Sequence, residues 1–232
     1  MTASTKDDAA AQFFKDVAQH QMTVVRDSGA DRHLRFRRPD SSAYWFDVIT
    51  WGGRLYIGGD CGAWVFDRVP DMFKFFRSDK GRINPGYWAE KLEATPDKGA
   101  KEFSEDRFRE VINEYRVRWV RDAAREGQLT KVQRRELWEE VDDRVFGALG
   151  DHGEHGAFQA AYDFSWKPEG TNRRAWSFDD LWDHSFTEHT SRYLWNCHAI
   201  VWAIQRYDAF KAAEAVREAN SSLETSEACA AA

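Results

Sequence analysis

The chain is poor in cysteine. Its three, Cys61, Cys197 and Cys229, are an odd number with no metal-like spacing. A disulfide framework is therefore not expected, and a reducing compartment is. Long apolar runs are missing too: no stretch approaches the roughly eighteen residues that a membrane-spanning helix needs. The first twenty residues carry Asp7, Asp8 and Asp16 and no continuous apolar segment, so they do not read as a signal peptide. These absences predict a soluble protein of the cytosol. There is no glycine-rich phosphate loop, no Walker motif, no serine nucleophile elbow and no Cys-x-x-Cys pair, which weighs against the common nucleotide-using and hydrolytic classes. Internal repeats are absent as well.

What the chain does have is length and aromatic side chains. At 232 residues it can bury a core in one sizeable domain or two small ones without covalent staples. It carries eleven tryptophans. The densest aromatic block is Tyr44, Trp45, Phe46, Trp51, Tyr56, Trp64, Phe66, Phe73, Phe75 and Phe76. Charge is uneven: residues 1–100 carry 15 basic and 14 acidic side chains, whereas residues 101–232 carry 18 and 25. The second half is too acidic for a general DNA-binding surface, whose affinity comes from neutralising phosphates. The first half has a local run, Arg32, Arg35, Arg37 and Arg38. It reads either as the wet side of an edge strand or as a contact for a phosphate or an acidic partner.

Periodicity separates a strand-rich first part from a helical second part. A short amphipathic helix with Phe13, Phe14 and Val17 precedes a strand over Met22–Arg26. His33–Arg37 alternates, Leu34 and Phe36 facing one way and His33, Arg35 and Arg37 the other. A turn at Pro39-Asp40-Ser41-Ser42 leads to a central strand, Tyr44–Trp51. Gly52-Gly53 closes a hairpin to Arg54–Gly58, and Gly59-Asp60-Cys61-Gly62 turns into Ala63–Phe66. Pro70-Asp71 opens a helix with Met72, Phe73, Phe75 and Phe76, and Gly86–Ala94 reads as a further helical turn or two.

After a linker, Ser104 caps a helix carrying Phe108, Val111, Ile112, Tyr115 and Trp119. Thr130 and Gln133 form a capping box for a helix with Leu137, Trp138, Val141, Val145 and Leu149 on one stripe. A turn over Asp151–Gly156, a helix capped by Ser177, and a last helix from about Glu188 to about Ala219 complete the pattern. The expected fold is α+β: a small antiparallel β-meander of three or four strands within residues 1–100, covered by helices. A helical domain or subdomain over 101–220 and a disordered tail over 221–232 would follow.

Few residues suggest chemistry. His152, Glu154 and His155 form a polar string, but a spacing of three with a glycine between is not that of the common zinc helices. His184, His189 and His198, with Asp179, Asp180, Asp183 and Glu188 nearby, could supply an acid/base pair. Cys61 sits in a glycine-bounded turn, where a nucleophile would still need a base. Asp47, flanked by Phe46 and Val48, needs a partner if buried, and an arginine of the 32–38 strand is the natural one. No metal and no cofactor are expected.

Three strings carry a resemblance: Leu34-Arg35-Phe36-Arg37-Arg38-Pro39 with Tyr44–Trp51, Gly58–Phe66 with Asp71–Arg77, and Ile83-Asn84-Pro85-Gly86-Tyr87-Trp88 to Leu92. Over about residues 32–95 the chain resembles a family of uncharacterised accessory proteins of tailed phages and prophages. The resemblance implies no activity and no catalytic residue; it implies a phage gene product acting in the host bacterial cytoplasm. The first expectation is a non-enzymatic protein that binds and inhibits a host macromolecule, such as a component of an antiviral defence system. Its contact residues would be Arg35, Arg37, Arg38, Trp51 and Trp64, with Glu136, Glu139, Glu140 and Asp143 as an acidic face. The alternatives are a single-stranded nucleic-acid module stacking bases on Trp45, Trp51, Tyr56 and Trp64, and a small hydrolase using the histidines and acids of 151–198.

Overall fold

The alternation of the first hundred residues produces a meander, and a longer one than expected. A computed structural model describes residues 3–170, 172 and 174–230, with side chains over 8–170, 172 and 174–221. It divides the chain into a sheet unit, Met1–Lys101 with His189–Ala232, and a helical unit, Glu102–Glu188.

The sheet unit opens with α1 (Ala3–Asp16), β1 (Gln21–Ser28), β2 (Asp31–Arg37), β3 (Phe46–Trp51), β4 (Arg54–Gly59) and β5 (Gly62–Asp67). Helices α2 (Met72–Arg77) and α3 (Pro85–Ala89) and strand β6 (Leu92–Ala94) follow. The chain then runs through β7 (Lys101–Phe103), α4 (Glu105–Arg125), α5 (Lys131–Val141) and α6 (Gly147–Tyr162). It returns through β8 (Thr187–His189), which pairs with β7, and ends in α7 (Ser191–Ala230).

The architecture is α+β, with six strands in sequential order β1 to β6, each antiparallel to its neighbour, where three or four were expected. The strand that periodicity misses altogether is β6. Its three residues are too few to show an alternation, and they pair with β5 through Val65↔Ala94 and Phe66↔Leu92. Gly52 and Gly53 both have positive φ (52° and 85°), the requirement of a tight hairpin between twisted strands.

Because side chains alternate across a strand, one face of the sheet carries Leu34, Phe36, Phe46, Val48, Leu55, Ile57, Trp64 and Phe66, all buried. Onto this face pack Phe13 and Val17 of α1, the aromatics of α2, Trp88 of α3 and the first turns of α7 from Tyr193 to Tyr207. The last helix therefore completes the sheet unit, and the helical domain expected over 101–220 shrinks to 102–188. Helical periodicity reports that a helix has an apolar stripe; it does not report which apolar face the stripe covers. The tail expected to be disordered from 221 continues α7 as far as Ala230, while 231–232 lie outside the described residues. That stretch contains neither glycine nor proline, and once a helix is nucleated each further residue adds a hydrogen bond at little cost.

The helical unit has its own core, including Phe108, Val111, Ile112, Leu137, Val141, Val145, Leu149 and Phe164. Ser104 Oγ accepts from the Arg107 amide at 3.2 Å, and the Thr130–Gln133 capping box closes in both directions. A π-helical turn, Asp142–Phe146, joins α5 to α6. The turn expected over Asp151–Gly156 is instead a kink within α6 at Gly153 (φ 62°, ψ −151°), a conformation that glycine adopts without a Cβ clash. The helix expected after Ser177 does not form. Asp180 takes a left-handed conformation, only one 3-10 turn (Leu181–Asp183) follows, and Phe178 and Leu181 both turn into the core. Among the described residues no helix is long and apolar enough to cross a membrane.

Candidate partner-binding face of the sheet

Among the described residues, no helix of the sheet unit's core packs on the second face of the sheet. Along its strands stand His33, Arg35 and Arg37 of β2, Asp47, Ile49 and Trp51 of β3, Arg54 and Tyr56 of β4, and Val65 and Asp67 of β5. Asp47 and Arg35 are register partners. Arg35 donates twice to Asp47, Nε to Oδ1 at 2.9 Å and Nη2 to Oδ2 at 2.8 Å, while His33 Nε2 donates to Oδ2 at 3.0 Å. Burial alone would raise the Asp47 carboxyl, but the Arg35 and His33 hydrogen bonds outweigh it and hold it below the usual carboxylate range. The structural ion pair expected for Asp47 is thus present, with His33 as a second donor. At the other end of the face Arg54 is paired with Glu93 at 2.6 Å and with Asp67 at 3.2 Å.

Arg37 and Arg38 are different. Both are exposed, and neither makes an ion pair among the described residues. With Arg35, Asp40, the Ser41-Ser42 turn and the half-buried Trp45 they line an open groove of about 560 Å³. The segment bearing Trp45 is fixed from behind. Tyr44 has φ 58°, a left-handed conformation that a tyrosine holds only where its surroundings determine it. Its amide donates to Asp60 Oδ2 at 2.6 Å, its carbonyl accepts from His20 Nε2 at 3.0 Å, and the Asp60 amide donates to the Trp45 carbonyl at 3.1 Å. A Cβ on Gly59 would lie 2.0 Å from that same carbonyl oxygen, so the turn and the segment meet backbone to backbone. Asp60 is therefore the turn residue its glycine neighbours suggest, with the added task of holding Tyr44.

Other expected contact residues scatter. Trp51 is on the open face and 41% exposed, at the end of the sheet away from Arg37. Trp64 is 1% exposed on the covered face, tilted against Tyr193, which removes it from both the contact and the base-stacking readings. The alternation of β5 places Trp64 and Phe66 on one side; it leaves open which side the helices cover. Of the acidic face on the helical unit, Glu139 is paired with Arg135 at 2.7 Å and Glu140 with Arg144 at 3.6 Å, leaving Glu136 and Asp143 without an ion pair among the described residues. Neighbouring Asp142 is held at 2.6 Å by the buried Arg116. The helical unit also has an open hollow of about 600 Å³ lined by Trp119, Gln128, Arg174, Trp176 and Asp179, where Arg174 faces Asp179 at 3.6 Å.

His152 and His155 stand exposed on α6, while His184 hydrogen-bonds Tyr115 at 3.3 Å. No group of three or more His, Cys, Asp and Glu residues is arranged to hold a metal ion among the described residues. Burial pushes the Cys61 thiol up to about 11, the opposite of what a nucleophilic thiolate requires. Sequence reasoning missed His33 as a partner of Asp47 and His20 as a partner of Tyr44. The first was signalled by its place two residues before Arg35 on the same strand face; the second, between distant segments, had no signal. No family model, curated protein or solved structure matches the chain.

Proposed function

We propose that the chain is a non-enzymatic binding protein, a phage accessory product of the kind it resembles, that binds and inhibits a host macromolecule by protein–protein contact in an anti-defence, anti-CRISPR-like role. The observation that carries the binding reading is the pair Arg37 and Arg38, exposed and without an ion pair among the described residues, beside Trp45 on a segment held by Asp60. Unspent arginines next to an aromatic ring are the side chains that most often anchor protein interfaces. A hydrolase finds less support, since His152 and His155 stand exposed on α6 while His184 is hydrogen-bonded to Tyr115. The single-stranded nucleic-acid reading is favoured by one observation, Trp45, Tyr56 and Trp51 on one open face. It is weakened by the pairing of Arg35 and Arg54, which leaves few cations for a phosphate track.

The test is capture from a nuclease-treated bacterial lysate on the immobilised full-length chain, beside its Arg37→Glu/Arg38→Glu variant. A stoichiometric protein should be retained by the parent chain and lost from the variant. Recovery of nucleic acid alone from an untreated lysate, released by moderate salt, would overturn the reading in favour of the stacking module. Equal retention of the protein by the variant would remove this face from the contact.

A further inference from the structure

Resting on that binding reading, we infer that the groove takes an acidic segment of the partner. Its carboxylates would meet Arg37 and Arg38, and an apolar or aromatic residue between them would lie on Trp45. The charge arithmetic of the groove favours carboxylates on a short peptide over a nucleic-acid strand. Arg35 spends Nε and Nη2 on Asp47, and Asp40 adds a negative charge to the lining, so two free guanidinium groups remain at one end of the sheet. The next arginine along the face, Arg54, is neutralised by Glu93 and Asp67. A strand of phosphates running across the sheet would find cations at one end only, whereas carboxylates gathered on one short segment would meet both free guanidinium groups there.

The backbone that carries the ring is set before the ligand arrives. Tyr44 is pinned by Asp60 and His20, and the Trp45 carbonyl by the Asp60 amide, so the Trp45 backbone loses little freedom on binding. Asp60 is outside the groove lining and acts as a positioning residue. Charge recognition thus falls to Arg37 and Arg38, and preorganisation to Asp60.

Calorimetry and amide chemical shifts of the full-length chain would test it with three probes: a blocked peptide EDFEEL, its neutral counterpart QNFQQL, and hexadeoxythymidylate. EDFEEL should bind about tenfold or more tightly than QNFQQL, and the Arg37→Glu/Arg38→Glu variant should reduce EDFEEL binding by a similar factor. Asp60→Ala should weaken it by about threefold while shifting the amides of residues 43–46 in the free protein. Equal binding of the two peptides, insensitivity to the charge reversal, or displacement of EDFEEL by equimolar hexadeoxythymidylate would each overturn the inference. Both arginines are exposed, so a thermal melt matching the parent chain serves as the folding control. If lysate capture depends on Arg37 and Arg38 while EDFEEL fails to bind, the binding reading stands and the acidic segment falls.

Discussion

One ion pair in each unit is buried with opposite polarity. In the Arg35–Asp47 pair of the sheet unit the acid is inside: the Asp47 side chain is 9% exposed, against 43% for Arg35. In the Arg116–Asp142 pair of the helical unit the base is inside, 9% exposed against 45%, and the sheet unit's Arg32–Asp71 pair leans the same way, 10% against 18%. A compact carboxylate can be satisfied within the plane of a sheet by donors from the neighbouring strand. A guanidinium can be covered by flat rings, and Arg116 lies 3.7 Å from the centre of Trp138 and 5.1 Å from that of Phe146. Net charge is a poor guide here. The sheet unit, with 20 basic and 19 acidic residues, is close to neutral and still leaves Arg37 and Arg38 without an ion pair among the described residues, while the more acidic helical unit, with 13 and 20, pairs Glu139 and Glu140 with its own arginines.

Arg116 offers the largest break in this comparison. Arg116→Ala removes the stacked guanidinium and its bond to Asp142, and should lower stability by about 2–3 kcal/mol in urea unfolding. Arg116→Lys, which keeps the charge but not the flat face, should recover less than half of that. An Arg116→Met variant as stable as the parent chain would show that burying the base contributes nothing net.

The sheet unit answers to pH. The folded Asp47 carboxyl is held below its unfolded value, so the stability it contributes is full above about pH 4 and is lost as pH falls through the folded pKa. Urea midpoints for Asp47→Asn should therefore fall less steeply below about pH 4 than those of the parent chain. Parallel acid limbs would mean that Asp47 is not among the groups governing acid unfolding.

The smallest effect is expected on the acidic face. Glu136→Gln with Asp143→Asn should change stability by less than about 0.5 kcal/mol, since neither has an ion pair among the described residues. Capture of the partner should also be unchanged; a lost partner would transfer the contact from the sheet to the helices.

Local chemistry made much of the fold legible. The caps at Ser104 and Thr130 and the Leu137–Leu149 stripe hold because each is decided by residues within a turn or two, and the helix expected at Pro70-Asp71 forms with Asp71 as its cap and Pro70 just before it. The meander followed from alternation and turn residues in the same way. What was not legible depends on distant partners. The side of Trp64 that becomes interior is decided by α7, the three residues of β6 become a strand only beside β5, and Asp180 leaves the helix because Phe178 and Leu181 find a core. Of the candidate site, the Arg35–Asp47 pair was readable from the strand pattern. The unspent state of Arg37 and Arg38 was not, because it reflects where every nearby carboxylate points.

The return of α7 to the sheet after the whole of Glu102–Glu188 has a consequence for the order of synthesis. A ribosome makes the six-stranded meander first, with its apolar face complete but lacking Tyr193, Trp195, Ile200, Trp202 and Ile204. The nascent sheet must wait, with that face partly naked, until the helical unit has emerged and the last helix leaves the exit tunnel. Contacts so distant in sequence form slowly, and unfinished sheets with exposed apolar surface are prone to misassociation. In the cell, synthesis of the helical unit and emergence of α7 therefore set the earliest moment at which the face with the arginine groove stands on a finished core.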